Sequence, residues 1–257
     1  MDLPILFEDT DILVINKPSG VVVNRAQTVK DETVQDWVES YLSFRRTSES
    51  ALDNRDLHKP MGDSKTEMST IDDFYNRGGI VHRIDKETSG ILLLAKTPTA
   101  FFELQRQFKE RLVKKTYLAI AHGRVVPEVG EIRAPVGRLP WQRERFGVVP
   151  GGKEAVTNYK VQNKELQKNN EPLSVVELYP ETGRTHQIRI HLKYINHPIV
   201  GDYLYAGRKT SRDDRVWAPR VMLHAWKITI LHPLSHQSLD FEAPIPDDMR
   251  SIIHGTS

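Results

Sequence analysis

The sequence predicts an α+β protein with a mixed, largely antiparallel sheet. Short apolar runs typical of strands alternate with segments of helical periodicity, and no regular strand–helix–strand repeat is present. Several strand-like runs are joined by short turns, which favours antiparallel neighbours. The length of 257 residues suits a single domain over 1–257 with one core.

The first elements are predicted from turn-forming residues and from the spacing of apolar residues. Apolar runs at 11–15 and 21–23 flank Asn16–Gly20, where proline and glycine indicate a turn, so the pattern predicts strand, turn and strand. Apolar residues spaced by three and four positions then predict an amphipathic helix over 31–42. Residues 43–76 are polar and nearly neutral, which predicts a surface insertion within the domain and not an obvious basic arm.

After this segment, apolar runs typical of strands and helix-start signals appear again. Gly90–Lys96 has the length and composition of a buried strand. Thr97 is a good N-cap and Pro98 a good first residue for the helix that follows. Further strands are expected at 116–121, 155–161, 173–179, 227–231 and 238–241, and a helix at 185–195.

Composition excludes several classes of protein. The chain has no cysteine, which removes disulfides, thiolate catalysis and cysteine-ligated metals. Its start lacks a basic region, so no signal peptide is predicted, and no apolar run approaches the roughly 20 residues that span a bilayer. A cytoplasmic location away from membranes is the default expectation. The net charge of +2 does not by itself indicate nucleic acid, so charge clustering has to be considered.

The most unusual stretch is Gly78–Gly90, which places small, charged and hydroxyl residues between two apolar runs. Asp85 lies between Arg83 and Lys86, and adjacent cations favour the charged carboxylate. Loops at strand edges are where functional residues are often found. The spacing alone gives equal weight to a plain turn in which Asp85 and Thr88 cap the backbone.

A second stretch, Glu181–His191, combines basic residues with helical spacing. Arg189 would be a surface arginine near a helix start, where the dipole mildly disfavours a cation unless an anion is close. His186 and His191 are five positions apart, which does not put both on one helix face as a zinc-binding pair would be. No metal site is therefore predicted.

Aromatic and basic residues supply the remaining candidates. Tyr117 follows two lysines at a strand start, where a core aromatic is the commoner interpretation. Two loops interleave cations with rings, a composition that suits phosphates and stacked bases as well as it suits a solvated loop. Their members are Arg138, Trp141, Arg143, Arg145, Phe146 and Lys153 in one, and Arg208, Lys209, Arg212, Arg215, Trp217 and Arg220 in the other.

No nucleotide-cofactor loop of the GxxxxGK[ST] or GxGxxG type is present, and no GxSxG elbow supports a hydrolase. Several stretches instead resemble the RluA-type family of RNA pseudouridine synthases. Gly79–Lys96 resembles the family's catalytic motif, and the order of the other motifs along the chain also matches. These are Asn16–Gly20, Lys115–Tyr117, Thr182–His191, His197–Asp202 and Leu223–Ala225.

The resemblance implies the pseudouridine synthase fold with a central RNA-binding cleft, no cofactor, and RNA as the partner of a monomeric enzyme. It implies that Asp85 is the nucleophile, that Tyr117 stacks on the flipped uracil and takes the proton from C5, and that Arg189 pairs with the catalytic carboxylate. Arg83 would fill the space that the flipped nucleotide leaves. Lys17 and Pro18 would support the site from beneath.

Other basic residues are expected to contact the RNA backbone. They are His82, Arg184, His186, Arg143, Arg145 and Lys153. Many relatives carry an N-terminal S4-type RNA-binding domain, and the first motif here begins near residue 11, so no S4 domain is expected. The target would be ribosomal RNA of the large subunit or transfer RNA. The alternative is a non-catalytic RNA-binding or ribosome-assembly protein on the same fold.

Overall fold

The computed structural model describes residues 1–42, 71–140, 142–163 and 165–255, except for the side chains of residues 143 and 144. Most of the segment 43–76 and the ring of Trp141 therefore lie outside the described residues. Within the described ranges, no helix is long and apolar enough to cross a membrane.

Twelve strands are present among the described residues. In chain order they are β1 (Ile5–Glu8), β2 (Ile12–Lys17), β3 (Ser89–Ala95), β4 (Lys114–His122), β5 (Val129–Arg133), β6 (Val136–Leu139), β7 (Gln142–Val148), β8 (Val156–Asn163), β9 (Gln167–Lys168), β10 (Glu171–Pro180), β11 (Leu223–Leu231) and β12 (Ser238–Glu242). Ten belong to one sheet, whose main path is β1-β2-β3-β11-β4-β10-β8-β5, and β6 pairs with β7 in a separate hairpin.

The pairings confirm the predicted mixed, largely antiparallel sheet. Every named pair of strands is antiparallel except β3 with β11. That parallel seam is short, with His224 opposite Ser89 and Ala225 opposite Gly90. Gly90 has φ of +111°, and a Cβ there would lie 2.2 Å from the carbonyl oxygen of Ala225. Glycine is therefore required where the two halves of the sheet meet.

Five helices with both ends in the described ranges flank the sheet, besides the helical residues 71–76. They are α1 (Val34–Tyr41), α2 (Pro98–Lys109), α3 (Gln187–Tyr194), α4 (Arg208–Asp214) and α5 (Asp247–His254). The start of α2 is as predicted, because the Thr97 side chain accepts a bond from the Ala100 N–H and Pro98 takes the first position.

Both faces of the strand β3 are covered, which explains why all seven of its residues are buried. On one face, Leu93 packs with Phe101 of α2. On the other face, Leu92 packs with Trp37 of α1. The C-terminal half of the sheet has its own core, which includes Ile188 of α3. The end of β3 next to the seam is thus held between two cores.

Two differences from the sequence expectation lie in the first third of the chain. Residues 21–23 are not a strand, because the carbonyls of Val22 and Val23 accept the N–H groups of Val34 and Gln35 at the start of α1. The surface insertion was also predicted to continue to residue 76, which is further than it does in the structure. Residues 71–76 are helical, and the side chain of Phe74 is fully buried in the core beside Phe101, where its hydrophobic ring stabilises the packing.

Candidate active site

The turn that carries Asp85 ends directly before β3 and is anchored to the segment after β2. The Gly20 N–H donates to the Lys86 carbonyl at 2.8 Å, and the Ser19 hydroxyl donates to the Glu87 carbonyl at 2.7 Å. These contacts fix the backbone directly after Asp85, so that the carboxylate is presented from a rigid base.

Lys17 is the central support of this turn. Its ammonium donates to the carbonyl oxygens of Pro18, Val21 and Lys86 at 2.8, 2.9 and 3.1 Å, and its side chain has no exposed surface. Burial lowers the pKa of Lys17 to about 7, and the charge of Asp85 opposes that shift. All three donors of the ammonium are used, so Lys17 joins the segment that follows β2 to the turn that carries Asp85.

Arg189 of α3 joins two carboxylates. Its Nη1 donates to Oδ2 of Asp85 at 3.0 Å, while Nε and Nη2 donate to Asp202 at 2.7 and 2.8 Å. Arg189 is only 6% exposed, so the surface-arginine interpretation is wrong. The Asp85 side chain binds Arg189, and this bond takes the place of the backbone-capping role that the sequence analysis had kept as an alternative.

Asp202 is a partner of Arg189 that the sequence analysis did not single out. It was part of a recognised motif, but its partner lies 13 positions away on a different element. Its carboxylate is fully buried and also accepts the N–H groups of Leu204 and Tyr205. Burial alone would lower the pKa of Arg189, yet the bonds and charges of Asp202 and Asp85 more than offset this and leave that pKa raised.

His186 lies between Asp85 and the aromatic ring of Tyr205. Its Nδ1 is 2.9 Å from the Tyr205 hydroxyl, and its Nε2 is 3.9 Å from Oδ2 of Asp85. The hydrogen bond to Tyr205 orients the His186 ring so that its other nitrogen faces the Asp85 carboxylate. Burial lowers the pKa of His186, which favours the neutral ring, although the charge of Asp85 opposes the shift.

The loop before α3 is held by the buried Gln187. Its oxygen accepts from the Thr182 hydroxyl at 2.7 Å and from the Arg184 N–H at 3.0 Å. Its amide nitrogen donates to the Val156 carbonyl at 3.0 Å. One side chain therefore fixes the loop against β8 and sets where α3, and with it Arg189, begins.

Tyr117 of β4 lines the same cleft as Asp85 and Arg189, which has a volume of about 140 Å³. The ring packs against two of the cores and is half-buried. Burial raises the pKa of the Tyr117 hydroxyl, and the nearby charge of Asp85 raises it further. The hydroxyl is therefore a phenol and not a phenolate at neutral pH.

His82 is not brought to the cleft. The Leu93 N–H donates to its Nε2 at 3.0 Å, and its ring stacks on Phe108 at a centroid distance of 4.8 Å. Burial lowers the pKa of His82 to about 3, with the charge of Lys115 adding to the effect. The sequence expectation of a phosphate contact at His82 does not fit a neutral ring that is used to hold β3.

The other expected RNA contacts are distributed around the cleft. Arg83 and Arg184 line it, and Arg184 Nε also donates to the Glu154 carbonyl at 3.0 Å. Arg145 lies on β7, half-buried, and Lys153 is exposed where it pairs with β6. The hairpin of β6 and β7 packs on α3, so what was expected to be a loop is an ordered arm beside the cleft. The side chain of Arg143 lies outside the described residues.

The second basic set is largely structural. Arg215 donates to the Glu87 carboxylate at 2.6 Å, and that carboxylate also accepts the Val221 N–H. Arg220 is 6% exposed and forms a bidentate pair with Asp248. Arg215 thus ties the turn after Asp85 to the C-terminal half, and Arg220 ties the segment before β11 to α5, so neither arginine is available for phosphates.

In the described parts of the chain, one group of metal-ligand types lies close together, formed by Asp9, Asp11 and His232. Nδ1 of His232 accepts the N–H groups of Leu234 and Ser235, so Nε2 carries the proton that it donates to Asp9 at 3.1 Å. That proton occupies the position a metal ion would need. The group therefore joins two turns by an ordinary hydrogen bond.

Comparison with known proteins identifies the class. A family model described as RNA pseudouridylate synthase matches residues 11–194, and the chain belongs to this family. It is 40% identical over 255 residues to a ribosomal large subunit pseudouridine synthase D of Nitrosomonas europaea, covering 98% of this chain and 64% of that protein. The chain thus spans less than two thirds of the length of that relative.

Two further relatives agree with this membership. An uncharacterized RNA pseudouridine synthase of Bacillus subtilis is 38% identical over 253 residues, covering 98% of this chain and 72% of that protein. The solved structure of human RNA pseudouridylate synthase domain containing 1 superposes with a TM-score of 0.69 at 27% identity, covering 95% of this chain and 83% of the human one. The pseudouridine synthase fold expected from the motifs is confirmed.

Proposed function

We propose that this chain is an RNA pseudouridine synthase that isomerises specific uridines of structured RNA, with Asp85 as the covalent nucleophile. The observation that carries the proposal is the bond from Arg189 to Asp85 in a cleft that the ring of Tyr117 also lines. An RNA-binding protein without catalysis needs no such half-buried carboxylate with its own buried arginine.

The reaction is an isomerisation, so every atom of the substrate is retained. The bond between C1′ and N1 of the uridine breaks, the base turns, and a bond between C1′ and C5 forms. The hydrogen on C5 leaves as a proton, and N1 gains one. A carboxylate that attacks the sugar or the base forms a covalent intermediate and divides this exchange into easier steps; both routes use the same side chain.

Arg189 has two effects on the nucleophile. It supplies a cation that compensates the Asp85 charge in a cleft partly removed from water. Because Asp202 takes two of its donors, Arg189 gives Asp85 a single bond, at Oδ2. The structure records no bond to Oδ1 among the described residues, so that oxygen is the one we assign to the attack.

The uridine has to leave its helical stack first, which costs a few kcal/mol. Tyr117 offers an aromatic face on which the flipped base can stack, and stacking of this kind is worth about 1–3 kcal/mol. Arg83 is exposed at the edge of the cleft, where we propose that it takes the place of the flipped base. The two residues together offset the cost of flipping.

Tyr117 is also our candidate for the group that takes the C5 proton. Its raised pKa means that its hydroxyl already holds a proton in the free protein. The hydroxyl can therefore accept the C5 proton only as it gives up the proton that it already holds. N1 needs a proton at the same stage, so a relay through the hydroxyl balances the reaction.

Asp85→Asn tests the proposal. We expect it to abolish pseudouridine formation while the affinity for RNA stays within about threefold, since the amide keeps the shape of the side chain and loses only the nucleophile. Pseudouridine in a transcript is measured after incubation with each variant, and affinity is measured by filter binding. Retained turnover in Asp85→Asn would refute the assignment, and a wild-type chain that binds RNA without forming pseudouridine would favour the RNA-binding alternative.

For the substrate we propose RNA of the large ribosomal subunit, with transfer RNA as the second candidate. The support is the 40% identity to a protein named as a ribosomal large subunit pseudouridine synthase. Mapping pseudouridines in total RNA from cells with and without the gene tests this choice. Sites lost from large-subunit RNA would support it, and sites lost only from transfer RNA would overturn it.

A further inference from the structure

Lys115 is a cation in the cleft that has no recorded partner in the described parts of the chain. It lines the cleft beside Tyr117, and no hydrogen bond or ion pair is recorded for its side chain among the described residues. Lys17, a lysine beneath the site, donates to three carbonyl oxygens instead. An ammonium that is half-buried without an acceptor is unusual, because removing such a charge from water is costly.

The strand geometry sets the distance of Lys115 from the bound base. Lys115 and Tyr117 are two positions apart on β4, so their side chains lie on the same face of the sheet, about 7 Å apart along the strand. Lys114 is exposed and points to the opposite face. A nucleotide whose base stacks on the Tyr117 ring therefore has Lys115, and not Lys114, on its own face of the strand.

The electrostatics favour an anion at this place. Burial lowers the pKa of Lys115, and no carboxylate offsets it. A bound anion would stabilise the ammonium directly, and a charge-assisted bond of this kind is roughly twice as strong as one between neutral groups. The anion that RNA itself brings into the cleft is the phosphodiester.

We propose that Lys115 binds a phosphodiester oxygen of the RNA strand that carries the flipped uridine. The proposal rests on the function proposed above and names a contact within its cleft. Through this contact Lys115 would hold the strand while the base is stacked on Tyr117. It would thus be a binding residue and take no part in bond making.

The salt dependence of RNA binding tests the proposal, because each phosphate that a protein neutralises releases counterions. The probe is a synthetic RNA stem-loop with uridines in its loop. For Lys115→Met we expect the slope of log affinity against log salt to fall by about one, and affinity at low salt to fall by about 10- to 100-fold. Lys115→Arg should keep most of both. Lys114→Met is the matched control, with a slope equal to that of the wild type.

Lys115→Gln separates a phosphate from a neutral acceptor, since it keeps a donor and loses the charge. The phosphate contact predicts the same reduced slope for Lys115→Gln as for Lys115→Met. An unchanged slope with weaker binding would assign Lys115 to a carbonyl of the base and overturn the proposal, as would unchanged binding. Pseudouridine formation by the wild-type chain, measured in parallel on ribosomal RNA, reports separately on the proposed function.

Discussion

Arg189→Met should destabilise the protein strongly, and adding Asp202→Asn should recover stability without recovering activity. The single change leaves the fully buried carboxylate of Asp202 with only two backbone N–H bonds, at 3.0 and 3.2 Å. Removing one partner of a buried ion pair costs about 3–5 kcal/mol. This is a large fraction of the roughly 5–15 kcal/mol that stabilises a typical domain.

In Arg189→Met/Asp202→Asn the buried charge is gone, while the Asn oxygen still accepts the two N–H bonds. We expect this double variant to regain at least about 2 kcal/mol of the loss in urea unfolding. Both variants should lose pseudouridine formation by about 100-fold or more, because Asp85 lacks its donor at 3.0 Å in each.

The control is Arg250→Met, which removes an exposed arginine that pairs with Asp247 at 3.4 Å. Its effect on the free energy of unfolding should be below about 0.5 kcal/mol. If the double variant is as unstable as Arg189→Met, the charge of Asp202 is not what Arg189 balances. If either variant keeps wild-type turnover, the role of Arg189 beside Asp85 is wrong.

Tyr117→Phe keeps the ring and should bind RNA normally but release little product in single-turnover assays; full activity would exclude the hydroxyl as the acceptor of the C5 proton. Lys17→Met leaves the Pro18 and Val21 carbonyl oxygens without their donor and should cost about 2 kcal/mol or more in urea unfolding, whereas a loss below about 1 kcal/mol would contradict its support role. Burial lowers the pKa of His82 from 6.5 to about 3 and that of His224 from 6.5 to about 4. Between these lowered values and 6.5, the unfolded chain therefore binds more protons than the folded chain does. The contribution of these two histidines to stability should therefore be full above about pH 6.5 and fall as the pH is lowered toward 4; a flat profile over that range would refute this, and His224→Asn should make the fall shallower.

Elements with local signals were predictable from the sequence. The buried strand before Lys96 and the N-cap at Thr97 depend on composition and on adjacent residues, and both are present. The proposed strand at 21–23 failed because its carbonyls are used by a helix start more than ten residues later, which no local pattern records.

The site shows the same division. Asp85, Tyr117 and Arg189 were found from their motifs, and the structure brings them to one cleft. The bond between Arg189 and Asp202 depends on how α3 packs on the following loop, so spacing did not predict it. His82 was misjudged because its environment is formed by Phe108, a residue on a separate helix.

The short parallel pairing between β3 and β11 has a consequence for the stage of folding at which the site is completed. Asp85 precedes the seam on one side, and Arg189 belongs to the half of the sheet on the other side, 104 positions later. Contacts of such long range form late, because the entropy of closing the loop has to be overcome first. A nascent or partly denatured chain therefore has an Asp85 without its arginine, and it acquires the complete site only when both cores have docked. Turnover would then be the most sensitive reporter of complete folding in this molecule, ahead of any probe that senses only one of its cores.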